Sequence, residues 1–70
     1  MADTLSWDDS YAIALELKEH YPNIDMDDVS LSMIYHWTIA LDDFADDPEL
    51  ANDLILSAIY QDWFEEVYTA

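Results

Sequence analysis

The sequence predicts a small, mainly α domain of three helices joined by acidic connections, with one short extended segment. Three observations carry that prediction. Apolar residues recur at helical spacing in three separate stretches, each bounded by proline or by Ser/Asp capping chemistry. Hydrophobic residues make up 53% of the 70 residues, too many for a disordered chain and enough for one domain. Glycine and cysteine are both absent, so turns fall to Asn, Asp and Pro.

The first helix is expected over about residues 7–20. Ser6 serves as its N-cap, with Asp9 three residues on at capping-box spacing. Asp8 and Asp9 then occupy the first turn, the end that favours anions. Ile13, Leu17 and Tyr21 form its apolar stripe, and Pro22 stops it because the residue before a proline leaves the α region.

Asn23 to Leu31 reads as a connection in which Val29-Ser30-Leu31 forms the extended piece. The second helix starts near Ser32 as cap and presents Met33/Ile34, Trp37 and Leu41 on one face, with Phe44 three residues further on. The third follows Asp47 as cap and Pro48 at the first helical position, where a missing N–H costs nothing. Ile55, Leu56, Ile59 and Trp63 form its stripe; it is expected to reach about Glu66 and residues 67–70 to fray. Trp7, Trp37 and Trp63 are assigned to the core, one per helix, and Tyr11, Tyr35 and Tyr60 to partly exposed contact positions.

Charge decides which functions survive. Asp plus Glu number 17 against 1 Lys plus Arg, a formal net charge of -16. Nucleic acid and anionic membrane both require basic side chains, and Lys18 stands alone, so neither is an expected partner. Without cysteine there is no thiolate chemistry and no Cys-held zinc or iron–sulphur centre; without glycine there is no phosphate-cradling loop. The N-terminal stretch lacks the cationic and apolar regions of a secretory signal, and no apolar run is long enough to span a bilayer, so a soluble cytoplasmic protein is expected. The serines form no nucleophile–base arrangement, and an enzyme is the least favoured class.

The acidic connection from Asp42 to Pro48 is the leading candidate site. Asp46 and Asp47 fit the N-terminal end of the next helix, but Asp42 and Asp43 fall at the C-terminal end of the second, where the macrodipole disfavours anions. No arginine exists to pair them. Such a local conflict is expected at functional positions. Two readings stay open: a solvated acidic face, or a surface for cations or a basic partner. A metal held by carboxylates alone would be a hard cation (calcium, magnesium, manganese or ferric iron), bound loosely. His20 and His36 lack any second histidine at ligand spacing.

Several runs of the chain resemble a known family. They are Leu5-Ser6-Trp7-Asp8-Asp9-Ser10, then Tyr21-Pro22-Asn23-Ile24-Asp25, then Leu41-Asp42-Asp43-Phe44-Ala45-Asp46-Asp47-Pro48, then Ile55-Leu56-Ser57-Ala58-Ile59, and Trp63 with Glu65-Glu66. Over about residues 5–66 they are similar to the IscX family, small acidic accessory proteins of bacterial iron–sulphur cluster assembly. The resemblance implies a single winged-helix-like α domain that is not an enzyme and acts as a monomer. It implies docking on a basic patch of the cysteine desulfurase, in competition with a frataxin homologue, so as to modulate that enzyme, with ferredoxin or the scaffold protein as further candidate partners. It also implies weak iron binding through acidic positions, which match Asp9, Asp25, Asp43, Asp46, Asp47 and Glu65 or Glu66 here, with Asp8 extending the first acidic tip. The chain departs from the family around Ser30 to His36 and is the more acidic for it.

Taken together, Asp8, Asp9, Asp42, Asp43, Asp46, Asp47, Glu65 and Glu66 are the expected partner-binding residues. Asp9, Asp42, Asp43, Asp46 and Asp47 are the expected weak iron ligands. The alternatives are an iron carrier or sensor acting mainly through the metal, and an acidic mimic of DNA.

Overall fold

Three runs of buried residues at helical spacing define the architecture: Ile13, Ala14 and Leu17; Ile34 and Thr38; and Leu56, Ile59 and Trp63. They lie on α1 (Ser10–His20), α2 (Leu31–Ile39) and α3 (Asp53–Tyr68) in a computed structural model that describes residues 4–68. Short 3-10 turns stand at Met26–Asp28 and Pro48–Leu50. Helix α3 packs mainly on α1 and secondarily on α2. The connections finish the core with Leu5, Trp7, Met26 and Leu41, so the loops are part of the packing rather than an outer layer. Tyr60 ties one of them down by donating its hydroxyl proton to the Met26 carbonyl at 3.0 Å. The domain is mainly α, and its three helices are those the apolar stripes predict.

The helix starts move, each for a local reason. Ser6 and Asp9 do pair, with Ser6 N and Oγ both donating to Asp9 Oδ2 at 3.0 and 3.2 Å. They close a turn ahead of the helix, however, and α1 begins only at Ser10. Trp7 thus precedes α1 instead of riding on it. The cause is tertiary: Trp7 is driven to 3% exposure against Phe44, with ring centroids 4.7 Å apart, and its indole N–H donates to the Asp47 carbonyl at 2.7 Å. At α2 the cap is Ser30, not Ser32; Ser30 Oγ accepts from Met33 N at 3.1 Å. Asp47 with Pro48 opens a 3-10 turn, Asp47 Oδ1 accepting from Glu49 N at 2.9 Å. Helix α3 then starts afresh at Asp53, with Asn52 Oδ1 accepting from Ile55 N at 2.9 Å.

Val29 and Ser30 are extended, but only as the lead-in to α2. The extended pairing among the described residues is a single parallel bridge between Leu5 and Phe44. Trp63 is fully buried while Trp37 is half-buried at the surface. Helix α3 continues beyond Glu66 to Tyr68, where Phe64 and Tyr68 lie against each other at 4.6 Å. The expectation of fraying at residues 69–70 falls outside the described residues.

Candidate functional site

The acidic stretch from Asp42 to Asp47 divides into two kinds of carboxylate. Asp46 is committed inward: Oδ2 accepts from Trp7 N at 3.0 Å and Oδ1 from Asp47 N at 2.7 Å. Asp47 is held by its own 3-10 turn. Around them, Leu5 N donates to Asp43 O at 2.7 Å and Ala45 N to Leu5 O at 2.9 Å. Residues 5–7 are thereby clipped along residues 43–47 by main-chain and carboxylate bonds together. Asp42 and Asp43 are the other kind. They follow the C-terminus of α2, Asp42 exposed and Asp43 half-buried, and among the described residues neither carboxylate accepts a hydrogen bond or joins an ion pair. Both lie beyond Ile39, the last residue of α2, and its cap Ala40.

The remaining expected residues lie elsewhere. Asp8 is exposed in the turn before α1, and the Asp9 carboxylate is occupied by Ser6. Glu65 and Glu66 stand near the end of α3. Gln61 Nε2 donates to Glu65 Oε2 at 2.9 Å. Glu66 Oε1 lies 3.9 Å from Lys18 Nζ, which also donates to the Glu66 carbonyl at 3.4 Å. Tyr11 donates its hydroxyl proton to Glu66 Oε2 at 3.2 Å. That hydrogen bond, then the Glu66 and Asp62 charges, holds the Tyr11 phenol protonated above its ordinary value. A group whose pKa is raised on folding contributes stability that is complete below its unfolded pKa and lost as pH rises through the folded one. Absorbance titration of native protein should therefore contain a tyrosine step above the midpoint found in urea. Tyr11→Phe should remove that step; its survival in the variant would assign it to another ring.

A cleft of about 350 Å³ opens where the C-terminal ends of α1 and α2 meet. Glu16, His20, Asp42 and Asp43 line it together with Tyr21 and Trp37. The two rings stack at 4.2 Å and 24°, and Trp37 also meets Trp63 in a T-shaped contact with centroids 6.1 Å apart. His20 Nε2 lies 4.0 Å from Glu16 Oε1 one turn earlier on α1. Sequence reading places Asp42 and Asp43 in a candidate site but misses Glu16 and Tyr21. The available signal is the Glu16, His20 spacing, which defines a face of α1 distinct from the Ile13–Leu17 stripe.

Among the described residues no three His, Asp or Glu side chains gather closely enough to hold a metal ion. Of the five expected iron ligands, Asp9, Asp46 and Asp47 already accept hydrogen bonds from their own neighbourhood. The donor set among the described residues does not fit a resident iron centre. No helix among the described residues is long and apolar enough to cross a membrane.

Comparison with known proteins places the chain among relatives. Residues 5–68 match a family described as iron-sulphur cluster assembly. A protein of Pseudomonas aeruginosa described as uncharacterized is 35% identical over 63 residues, covering 90% of this chain and 96% of that protein.

Proposed function

Since the chain belongs to the iron–sulphur cluster assembly family, the IscX family of the sequence resemblance, we propose that it is a non-catalytic accessory protein that docks on the cysteine desulfurase of the system. The open carboxylates of Asp42 and Asp43, with the exposed Asp8, meet a basic patch of that enzyme, where the chain competes with a frataxin homologue and modulates desulfurase activity. The observation that carries this reading is the pair of open carboxylates at the end of α2, uncompensated within a chain of net charge -16. Positive charge has to come from outside, and a basic protein surface supplies it over a wide area. Iron is held weakly, on the same open carboxylates, as cargo or signal and not as a resident cofactor. The scattered donor set favours this adaptor reading over a dedicated iron carrier.

Steering by opposite charge makes such docking fast and strongly salt-dependent. Titration against the desulfurase of the same bacterium should show binding at low salt, with an association rate that falls by about tenfold or more as salt screens the field. Asp42→Asn combined with Asp43→Asn should weaken docking while helix content holds or rises, since two anions leave a helix C-terminus. Affinity indifferent to both salt and this pair would sink the proposal.

A further inference from the structure

We propose that the cleft between the ends of α1 and α2 seats one arginine side chain of the basic partner, an inference that rests on the docking reading above and gives it a point of attachment. Four features of the cleft converge on that ligand. Its volume, about 350 Å³, is that of a small ligand site and not of an ion cage. Glu16, beside His20, and Asp42 and Asp43 line it, and among the described residues they do not gather into a metal-holding group, so their charge is spread around an opening instead of focused on a point. Helices α1 and α2 both end at it, and helix C-termini carry partial negative charge from unpaired carbonyls. Tyr21 and Trp37 add half-buried aromatic surface to the wall.

An extended planar cation answers all four. A guanidinium stacks on aromatic faces and forms paired hydrogen bonds with carboxylates in one plane, whereas an ammonium is a compact, strongly hydrated point charge. Asp42 and Asp43 then find outside the partner they lack in the fold. A second copy of the chain does not supply the cation. Its single Lys/Arg residue is Lys18, already bound to Glu66.

The test uses the full-length protein and a blocked Gly-Arg-Gly tripeptide, with lysine and citrulline counterparts, followed by the NMR signal of the Trp37 indole. The arginine peptide should shift that signal saturably, the lysine peptide more weakly, and the uncharged citrulline peptide not at all. Tyr21→Leu should weaken arginine binding about three- to tenfold through loss of the aromatic face. Glu16→Gln, which leaves both rings in place, should weaken it too. Asp27→Asn with Asp28→Asn removes two charges, one more than Glu16→Gln, from an exposed 3-10 turn outside the cleft lining and should leave binding within about twofold, because exposed charges that do not touch the ligand are screened. Equal response to lysine and arginine, or shifts spread over every acidic residue, would overturn the proposal.

Repeating the desulfurase titration with these variants separates the two readings. Salt-sensitive docking unchanged by Tyr21→Leu and Glu16→Gln overturns the cleft and leaves the docking intact. Arginine seated in the cleft with no desulfurase binding at low salt supports the cleft and overturns the docking.

Discussion

Trp63→Ala should leave the protein largely unfolded at 25 °C. Trp63 is the largest fully buried side chain among the described residues, sits on the α3 face that packs against the other helices, and meets the half-buried Trp37 in a T-shaped contact. Truncating a buried tryptophan to alanine costs about 3–5 kcal/mol, because transfer energy and a residual cavity add. A single core in a chain below about 70–80 residues supplies only about 3–5 kcal/mol of net stability. The loss therefore matches the whole reserve. No disulfide offsets it, since the chain has no cysteine, and a net charge of -16 adds self-repulsion in the compact state. Far-UV circular dichroism should show loss of helix, and urea titration should lose its cooperative step. Trp63→Phe should be much milder. Among the described residues the buried indole N–H of Trp63 has no acceptor, so phenylalanine removes a desolvated donor worth about 1–3 kcal/mol while keeping most of the ring. A Trp63→Ala protein with a urea midpoint near the parent's would show that α3 is not held by this residue.

The same arithmetic explains what the sequence could and could not disclose. The stripes Ile13–Leu17 and Leu56–Ile59–Trp63 are readable because a helix buries one face at a fixed period, and period is a local property. Helix starts are not local in this chain. Ser6, Ser30, Ser32, Asp47 and Asn52 are all competent caps by chemistry, and tertiary packing chooses among them. Burial of Trp7 decides that Ser6 and Asp9 close a turn before α1, and the donor to Asp46 lies 39 positions away, beyond the reach of any spacing argument. The candidate site follows the same rule. Asp42 and Asp43 stand out because their conflict is with their own helix end, which the sequence displays. Asp46 reads in the sequence, with Asp47, as an anion at the next helix start, yet its two oxygens accept from Trp7 N and Asp47 N. The cleft was invisible for the related reason that Tyr21 and Trp37 meet only when α1 and α2 cross.

Asp46→Ala should cost stability that Asp42→Asn with Asp43→Asn does not. Removing the Asp46 carboxylate strips the acceptors from Trp7 N and Asp47 N, and hydrogen bonds to a charged group contribute about 1.5–3 kcal/mol each where sheltered. The Trp7 bond is partly buried and the Asp47 bond exposed, so the first dominates. Relief of repulsion in so acidic a chain offsets part of the loss, and a net cost of about 2 kcal/mol is expected, a large share of the reserve of so small a domain. The damage should begin locally. Amide exchange at Trp7 should accelerate and its fluorescence shift to the red as the indole leaves its place beside Phe44 and the Asp47 carbonyl. Asp46→Asn should fall between, since an amide keeps one acceptor and turns a donor toward the other N–H. If the urea midpoint of Asp46→Ala equals the parent's while docking on the desulfurase weakens, Asp46 belongs with Asp42 and Asp43 as an outward-facing carboxylate. If the midpoint falls and docking by the folded protein persists, the acidic stretch contains two functions side by side: one pair of aspartates that closes the fold and one pair left open for a partner.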